Sequence, residues 1–565
     1  MAAPTARSAV RDRIPILDWL PRYDRSWIRF DLIAALTVWA VVVPQSVAYA
    51  EIAGLPPQAG LAATAAGLAA YAVLGTSRQL VVSPTSSTAA ISATLIGALV
   101  ATSSASFEAL SSALALTLGV VFVVLAFARI GFISRFIPMA ISIGFMFGLG
   151  LTIIVGQLAK ILGVPGIEGT FLQQTVHLLG ELGNVDPLTL AVGSISLAAM
   201  VVGQRWLPAV PMALVVVVGS IVVVAALGLD EQGVDVLGII EGGIPTPALP
   251  LIPLDDLFVL VPGAVALAVL GYAETNQVAE SFADEHDYEI RPDQELFAVG
   301  GSNILSSLVG GFIVAGGASQ SAASDKAGAR SQVTGLLVAG LALLTMVALL
   351  PLFQDLPEAA LAAIVISAVV GFLRVDALRR LASLRRSSFV LALVALVTTI
   401  TLGILAGLVT SVLLALLYVL TAIARAPVME LGRTPDGTWR ARPHDPAATP
   451  VDDVLVLRLE APLLFLNAKK LRDEVRDTVR AAGRPIRVLI IDLGGSADLD
   501  LESRDILEAA AAQLATQGVE LRLADVRDTV RAVLERPDSS GRAVAIPTFR
   551  SIEQALGDEA GRASD

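Results

Sequence analysis

The sequence predicts a polytopic α-helical membrane protein that carries a small cytoplasmic α/β domain at its C-terminal end. The chain has 565 residues, of which 55% are hydrophobic and only 16% are charged, whereas soluble domains are roughly 45–50% apolar and about 25% charged. Apolar runs at residues 31–50 and 389–420 are long enough to cross the hydrocarbon core of a bilayer. After Pro427 the pattern changes, and short strand-like runs alternate with amphipathic helical ones.

Hydropathy assigns fourteen segments to the membrane. They are predicted near residues 30–50, 58–75, 85–101, 112–128, 137–157, 188–203, 210–228, 257–280, 294–310, 319–327, 332–351, 358–373, 388–405 and 408–424. Some of these pieces, such as 319–327, are too short to cross a bilayer alone.

The charges between these segments predict how the protein is oriented. Arginines fall in alternate loops and acidic residues in the others, for example Arg78, Arg129 and Arg374 against Glu51 and Asp230. Because cytoplasmic loops are enriched in Lys and Arg, the N-terminus is predicted to lie inside, and the even number of segments places the C-terminus there too. Residues 1–29 lack the apolar core of a signal peptide. We therefore expect a multi-pass cell-membrane protein with both termini in the cytoplasm.

The chain lacks the usual side chains of enzymatic and metal sites. It has no cysteine, and its three histidines, His177, His286 and His444, are far apart in the sequence. Walker-type loops and nucleophile elbows are also missing from the sequence. We therefore expect no enzymatic activity, no cofactor, no metal site and no nucleic-acid partner, and the lipid bilayer is the expected surrounding.

Four regions follow from the composition. A cytoplasmic N-terminal segment (1–29) precedes a transmembrane transport domain (30–427), a polar linker (428–450) and an α/β domain (451–560). Within the α/β domain, strands are predicted over 454–460, 462–467, 487–495 and 519–526. Helices are predicted over 468–483, 501–518 and 527–537.

Two membrane segments are interrupted by polar, Gly- or Pro-containing stretches. They are the third segment (78–100) and the tenth (310–332), and each begins with a short strand-like piece, residues 80–82 and 312–314. Interrupted segments at matching positions of two halves indicate a transporter site, and the odd separation of seven predicts that the second half is inverted.

A half helix that begins inside the membrane presents unpaired N–H groups and the positive end of its dipole. Two such termini that face each other can bind an anion without a cationic side chain. Hydroxyl side chains could cap these helices or donate to an oxyanion: Ser86, Ser87, Thr88, Ser319 and Ser321. Small residues also permit close helix packing alone, but the matched pair favours a site.

Several motifs resemble the sulfate permease (SulP) family of anion transporters. They are Pro44-Gln45 followed by Ala48-Tyr49, then residues 54–57 (Gly-Leu-Pro-Pro) and residues 74–78 (Leu-Gly-Thr-Ser-Arg). Residues 465–468 (Phe-Leu-Asn-Ala) are similar to the signature of that family's STAS domain, and the resemblance covers almost the whole chain. It implies seven plus seven inverted repeats divided into a core and a gate domain, elevator-like transport and a homodimer.

The resemblance also implies site residues. Gln45 and Tyr49 match pocket positions of the first span, Thr85 and Ser86 the end of the third, and Ala318 and Ser319 the end of the tenth. Glu274 matches the acidic position of the eighth span. An acid inside a span is expensive and is therefore a functional hypothesis, although a shifted span would place Glu274 in solvent instead.

Two departures from the family pattern bear on coupling and substrate. Sodium-coupled relatives have hydroxyl side chains where this chain has Val278 and Ala318, so a proton carried by Glu274 is favoured over sodium. Many relatives have Arg where this chain has Gln320, which keeps hydrogen-bond donors but lacks the charge. In the STAS domain Leu501 stands where bacterial antagonists have a phosphorylatable Ser, with Ser503 two residues on, so a phosphorylation switch is not supported.

The resulting prediction is a secondary active transporter of a small inorganic anion, with sulfate first, coupled to protons. Its expected substrate-binding residues are Gln45, Tyr49, Thr85, Ser86, Ser87, Ala318, Ser319 and Gln320, and Glu274 is the expected coupling residue. Alternatives are a bicarbonate or dicarboxylate transporter, an anion channel or an exchanger on the same fold. A membrane-anchored scaffold acting through its STAS domain is a further class.

Overall fold

The computed structural model describes residues 13–101, 103–131, 138–167, 169–207, 210–238, 243, 247–537 and 546–557. Residues 1–12 of the expected N-terminal segment and residues 538–545 and 558–560 of the expected α/β domain lie outside the described residues. The chain divides into two compact units, Met1–Ala415 and Leu416–Asp565, which are described separately below.

The first seven membrane segments are helical apart from the start of the third. They are α1 (Ile28–Ile52), α2 (Pro57–Leu74), strand β1 (Val82–Ser83) with α3 (Ser86–Val100), α4 (Phe107–Phe127), α5 (Met139–Leu162), α7 (Pro187–Trp206) and α8 (Met212–Leu227). A short helix, α6 (Phe171–Glu181), lies between the fifth and sixth segments.

The second seven segments repeat this order. They are α9 (Leu254–Glu285), α10 (Pro292–Leu308), strand β2 (Ala315–Gly316) with α11 (Ala318–Lys326), α12 (Val333–Leu344), α13 (Glu358–Val369), α15 (Arg386–Leu402) and α16 (Ile404–Ala424). A short helix, α14 (Val375–Leu384), again precedes the last two. Within the described residues, nine helices are long and apolar enough to span a membrane. The expectation of a polytopic α-helical membrane fold is confirmed.

The helices of the membrane unit pack in two groups. The first group contains α1–α4 and α9–α12, and the second contains α5, α7, α8, α13 and α15. Small residues allow the closest approaches within each group. A Cβ atom on Gly60 would lie 2.1 Å from the Ser46 carbonyl oxygen, and one on Gly144 would lie 1.9 Å from that of Ala392. Such contacts explain part of the high glycine content of the membrane segments.

The third and tenth segments cross in the first helix group. Strands β1 and β2 pair antiparallel, with Val82 opposite Gly316 and Ser83 opposite Ala315. Antiparallel pairing of equivalent pieces is what an inverted repeat produces. β1 begins two residues later than the predicted piece and β2 begins three residues later. The residues just before them form hydrogen bonds outside the strand pair instead: the Val81 N–H donates to Ser321 and the Val314 N–H donates to Asn303.

Polar side chains bind the irregular backbone that the crossing leaves inside the membrane. The Asn303 amide donates to the Val314 carbonyl (2.9 Å) and accepts from the Val314 N–H (3.0 Å). The Val81 N–H donates to the Ser321 hydroxyl (2.9 Å), and Gln332 Nε2 donates to the Leu80 carbonyl (3.0 Å). Backbone groups that lipid cannot satisfy are thus paired within the protein.

The second unit contains a five-stranded sheet in the order β4-β3-β5-β6-β7. Its strands are β3 (Val428–Arg433), β4 (Trp439–Ala441), β5 (Val454–Leu459), β6 (Val488–Asp492) and β7 (Glu520–Ala524). Its helices are α17 (Phe465–Ala481), α18 (Leu501–Ala515), α19 (Asp528–Glu535) and α20 (Ile552–Leu556). The last three strands are parallel, and Leu457, Leu489 and Leu521 contribute to a core that also includes the helices.

Two details of this unit differ from the sequence prediction. The segment 428–450, predicted as a linker, contains the hairpin of β3 and β4, whose turn holds Gly437 at a φ of 85°. The strand predicted over 462–467 is absent, and helix α17 begins there at Phe465. Asn467 causes this start, because its side chain accepts from the Leu464 N–H (2.9 Å) and so satisfies a donor at the helix N-terminus.

Candidate functional site

A cavity of about 510 Å³ lies between the two helix groups, at the facing ends of α3 and α11. The first group contributes Tyr49 of α1, the start of α3, the second half of α9 and the start of α11, whereas the second group contributes the start of α5 and the end of α13. Seven of the eight predicted substrate-binding residues line it, namely Tyr49, Thr85, Ser86, Ser87, Ala318, Ser319 and Gln320, and so does Glu274.

Thr85 caps the N-terminus of α3. Its hydroxyl accepts from the Thr88 N–H (3.3 Å), and the Thr88 hydroxyl accepts in turn from the Thr85 N–H (3.1 Å). The predicted capping role therefore belongs to Thr85 with Thr88. Tyr49 lies beside Ser86 and Glu274 beside Ser87, and all four residues line the cavity. The positive end of the α3 dipole thus points into the cavity with its hydroxyl groups arranged around it.

The N-terminus of α11 has no side-chain cap. Gly317 is the N-cap residue, and Ala318 and Ser319 follow with exposed side chains that line the cavity. A Cβ atom on Gly317 would lie 2.0 Å from Oε1 of Gln320, so a larger residue would collide there. The helix begins at the cavity, so its first N–H groups are directed there. Since no side chain caps this end, these N–H groups have no local side-chain acceptor.

Gln320 lies at the edge of the cavity, but its amide is directed into the protein. The side chain is 1% exposed, Ser83 Oγ donates to its Oε1 (2.7 Å), and its Nε2 donates to Oε1 of Gln45 (3.0 Å). Gln45 does not line the cavity and lies behind it instead. Gln45 and Gln320 therefore connect α1, β1 and α11, and the Gln320 amide donates within the protein, to Gln45 and to the Pro84 carbonyl.

Glu274 projects from α9 into the cavity. Its carboxyl oxygen Oε1 is buried and has no hydrogen-bond partner among the described residues, and the Ser87 side chain lies beside the carboxyl group. Removal from water disfavours the charged form of a carboxyl group. Val278, one turn later on the same face, offers no oxygen to a cation. The described residues contain no group of three acidic, His or Cys side chains that could hold a metal ion.

The charges in the cavity are few. Glu274, Glu280 and Arg374 are the charged side chains that line it within the described part of the chain. The wall formed by the second helix group is mostly apolar and includes Met139 and Met146 of α5. Sequence reasoning missed this wall, because methionines in a membrane helix carry no signal that separates a cavity lining from lipid contact.

The cavity opens toward one end of the membrane unit. We define the near end as the end where α1 and α5 begin, and the far end as the end where they finish. Met139 begins α5 and Arg374 follows α13, so the cavity residues approach the near end. At the far end, Lys160 Nζ forms ion pairs with Glu51 and, at 3.3 Å, with Glu358.

We call Glu51, Lys160 and Glu358 the far-end ion cluster. Glu51 lies on α1 of the first helix group, whereas Lys160 and Glu358 lie on α5 and α13 of the second. The cluster therefore joins the two groups on the side opposite the opening of the cavity. The membrane unit is therefore open at the near end and closed at the far end.

The STAS-type unit has no phosphorylatable side chain at the predicted position. Leu501 is 68% exposed, whereas Ser503 is fully buried and its N–H donates to Asp500 (2.7 Å). Asp500 caps α18 and also accepts from the Phe465 N–H (2.7 Å), and these hydrogen bonds lower the pKa of its carboxyl group. This aspartate fixes the start of α18.

Comparison with known proteins identifies both parts of the chain. Residues 28–395 match the model of the sulfate permease family, and residues 445–555 match that of the STAS domain. The chain is 33% identical over 517 residues to a probable sulfate transporter of Mycobacterium tuberculosis (strain CDC 1551 / Oshkosh), covering 91% of this chain and 92% of that protein. It is 27% identical to sulfate transporter 1.2 of Arabidopsis thaliana over 90% of this chain and 82% of that one.

Two solved structures are similar in fold. The murine Solute Carrier 26 family member A9 anion transporter, in the inward-facing state, superposes with a TM-score of 0.87 at 22% identity, covering 100% of this chain and 96% of that chain. The transmembrane domain of the cyanobacterial bicarbonate transporter BicA gives a TM-score of 0.62 at 22% identity, covering 69% of this chain and 98% of that chain.

Proposed function

Because the chain belongs to the sulfate permease family, we propose that it is a secondary active transporter of a small inorganic anion, with sulfate as the first candidate substrate. The observation that carries this proposal is the cavity between the N-termini of α3 and α11, into which Glu274 projects. Transporters of sulfate are among the relatives that match over most of this chain, which supports sulfate over other anions.

The anion binds at the two helix N-termini. Ser86, Ser87 and Ser319 donate hydrogen bonds there, together with the first N–H groups of α3 and α11. Tyr49 lies beside Ser86 and limits its position, and Thr85 holds the end of α3 in place. Gln45 and Gln320 position β1 and α11 and do not contact the anion directly, because Gln45 does not line the cavity and the Gln320 amide is directed toward Gln45 and Ser83.

Glu274 couples transport to protons in this proposal. With Glu274 and Glu280 ionised, the lining carries two negative charges against one positive charge on Arg374, a formal net charge of −1; protonation of Glu274 brings it to zero. A like charge in a poorly solvated cavity repels an anion by several kcal/mol at short distance. Anion and proton therefore enter together, and the side chains at Val278 and Ala318 give sodium no oxygen to replace the proton.

Alternating access proceeds by movement of the first helix group against the second. The near end is open and the far-end ion cluster is closed, so the transport step breaks the contact of Glu51 with Lys160. Assembly as a homodimer in the cell membrane, with both termini in the cytoplasm, remains part of the proposal. The mass of the solubilised protein and the protease sensitivity of each terminus in sealed vesicles test these two points.

Uptake into proteoliposomes tests the function. Labelled sulfate, bicarbonate and a dicarboxylate are offered with and without pH and sodium gradients, and an inward proton gradient is expected to stimulate sulfate uptake. Glu274→Gln should abolish that stimulation, whereas Glu285→Gln, an exposed position later on the same helix, should retain it. Stimulation by sodium alone, or an unchanged pH dependence in Glu274→Gln, would contradict the coupling proposal.

Bicarbonate is the second candidate substrate. The single observation in its favour is that, among the described residues lining the two helix ends, Gln320 included, none has a fixed positive side chain. A site with fewer charges favours a monovalent anion over a divalent one. Bicarbonate uptake that exceeds sulfate uptake in the same vesicles would select this alternative, and proton-independent leakage of both would indicate a channel.

A further inference from the structure

A second cavity lies at the near end of the membrane unit, apart from the cavity between the broken helices. Its volume is about 440 Å³. The segment that precedes α1, including the short helix Ile16–Trp19, forms one side of it. The loop between α2 and β1, the loop between α9 and α10 and the turn before α12 form the others.

This near-end cavity is basic. Arg22, Arg78, Arg291 and Arg330 line it, against two carboxylates, Asp18 and Glu289. The four guanidinium groups come from four separate parts of the sequence, so folding is what brings them together. An excess of positive charge around a concave surface attracts an anion.

Two of these arginines are held by aromatic rings. The Arg78 guanidinium lies 4.9 Å from the ring centre of Tyr288, and that of Arg330 lies 4.1 Å from the ring centre of Phe30. Within the described residues neither Arg78 nor Arg330 forms an ion pair with a carboxylate. Stacking fixes the orientation of a guanidinium group while its N–H donors stay available to an anion.

The loops that form the cavity are held by hydrogen bonds from the backbone of these arginines, not from their guanidinium groups. The backbone N–H of Arg78 donates to the Tyr288 hydroxyl (3.2 Å), and the backbone N–H of Arg330 donates to Oδ1 of Asp31 (2.8 Å). One further donor is unused, because the indole N–H of Trp19 is buried and has no acceptor among the described residues. A buried donor without an acceptor costs free energy, which a bound anion would recover.

Apolar side chains continue from the cavity toward the lipid. Leu17 and Leu20 of the N-terminal segment are 44% and 47% exposed, and Ile28 and Leu32 at the start of α1 are 58% and 47% exposed. A segment with apolar residues on one side and Arg and Trp on the other is typical of the membrane–water interface. The position of the cavity therefore suits a ligand that is half lipid and half anion.

We propose that the near-end cavity binds the phosphate group of an anionic phospholipid from the leaflet on that side. Arg78 and Arg330 contact the phosphate, Trp19 donates to it, and Arg22 and Arg291 supply the surrounding positive field. The acyl chains lie along the exposed leucines of the N-terminal segment. Since Gln332 Nε2 donates to the Ser77 carbonyl (2.9 Å), a ligand held at Arg78 and Arg330 also steadies the loop that leads into the third segment.

Lipid binding to the purified full chain tests this proposal. The protein in neutral detergent is titrated with short-chain phosphatidylglycerol, with phosphatidylcholine and with inorganic phosphate, and the affinity and the melting temperature are recorded. Phosphatidylglycerol is expected to bind at least about tenfold more tightly than phosphatidylcholine and to raise the melting temperature through linkage. Loss of two charge-assisted contacts in the double variant Arg78→Gln/Arg330→Gln should weaken it about 100-fold.

Matched variants separate binding from folding. Arg379→Gln/Arg380→Gln removes two charges from α14, outside the cavity, and should bind like the parent protein. Trp19→Phe keeps the ring and removes only the N–H donor, and it should weaken binding about threefold to tenfold without changing the elution volume. Equal binding by the Arg78/Arg330 double variant and its control would overturn the site. Inorganic phosphate binding as tightly as phosphatidylglycerol would overturn the lipid as its source.

Discussion

Neutralising Lys160 should open the far end of the protein. Lys160 pairs with Glu51 across the two helix groups and with Glu358 within the second group. Lys160→Met retains most of the side-chain volume and removes the charge. The two carboxylates then lose their common partner and repel each other, so the conformation closed at the far end is destabilised relative to the one open there.

The size of the effect follows from burial. The side chain of Lys160 is 32% exposed, and those of Glu51 and Glu358 are 15% and 37% exposed. Loss of one partner of a fully buried pair costs about 3–5 kcal/mol, and an exposed pair contributes about 0.2–1 kcal/mol. The exposure of the cluster lies between these two cases, so we expect the loss of the Lys160 charge to destabilise the conformation closed at the far end by about 2 kcal/mol. This corresponds to a shift of about 30-fold in the ratio of the closed to the open conformation.

Cysteine labelling measures this ratio directly. The chain has no cysteine, so Ser142→Cys, on α5 in the cavity lining, introduces a single thiol. A membrane-impermeant maleimide added at the far end reaches that thiol only after the far end opens. Its labelling rate should rise about 30-fold in Lys160→Met, because the rate follows the population of a minor conformation.

Two controls make the reasoning refutable. Lys160→Arg keeps the charge and should label within about threefold of the parent. Adding Glu51→Gln to Lys160→Met removes the carboxylate that was left unpaired and should change the rate by less than the sum of the two single variants. A far-end labelling rate that stays within a factor of two in Lys160→Met would show that the cluster does not hold the far end closed.

Two further predictions concern stability. Gly144→Ala should lower the melting temperature of the detergent-solubilised protein by overpacking worth about 1–3 kcal/mol, because the new Cβ would meet the Ala392 carbonyl oxygen; Gly219→Ala, with no atom within 4 Å, should leave it unchanged or raise it slightly. In the STAS unit, burial and the neighbouring Asp492 raise the pKa of Asp525. The folded state therefore binds this proton more tightly, and stability present at low pH is lost as the pH rises above the ordinary value of 3.8. Asp525→Asn should gain about 0.5 kcal/mol at neutral pH, measured by hydrogen exchange of β7, and the gain should disappear in acid; a gain that is the same at both pH values would exclude the charge as its cause.

The fold was largely readable from the sequence because a bilayer leaves few choices. Each apolar run must form a helix or belong to a paired crossing, so the segments and the two interruptions followed from composition. Boundaries shifted where polar residues extend a helix into the interface, as in α9, which runs to Glu285 rather than to residue 280. The hairpin at 428–441 was not predicted. Its Pro-Asp-Gly sequence indicated a polar linker, whereas in the structure it is the turn between two strands.

The site was less readable, because its function depends on contacts across the sequence. The sequence near Gln320 does not indicate that its amide will form hydrogen bonds with Ser83 and Gln45. These residues lie more than 200 positions away and come close to Gln320 only where β1 and β2 cross. The apolar wall from α5 was likewise invisible. Residue types predicted which side chains could bind an anion, whereas the inverted packing decides which of them do.

The inward direction of Gln320 also changes how substrate choice should be understood. An Arg at this position would either displace Gln45 and Ser83 from their hydrogen bonds or turn outward into the cavity, so the residue cannot be exchanged without rearranging the crossing. In the proposed site an anion would meet hydroxyl groups and helix ends. Among the described lining residues, Glu274 is the titratable group with a buried oxygen that has no hydrogen-bond partner. In the proposed mechanism, protonation of Glu274 removes a negative charge from a lining in which Arg374 is the one cation among the described residues. If this proposal holds, a divalent anion should depend on that proton more strongly than a monovalent one, because the ionised Glu274 repels the larger charge more.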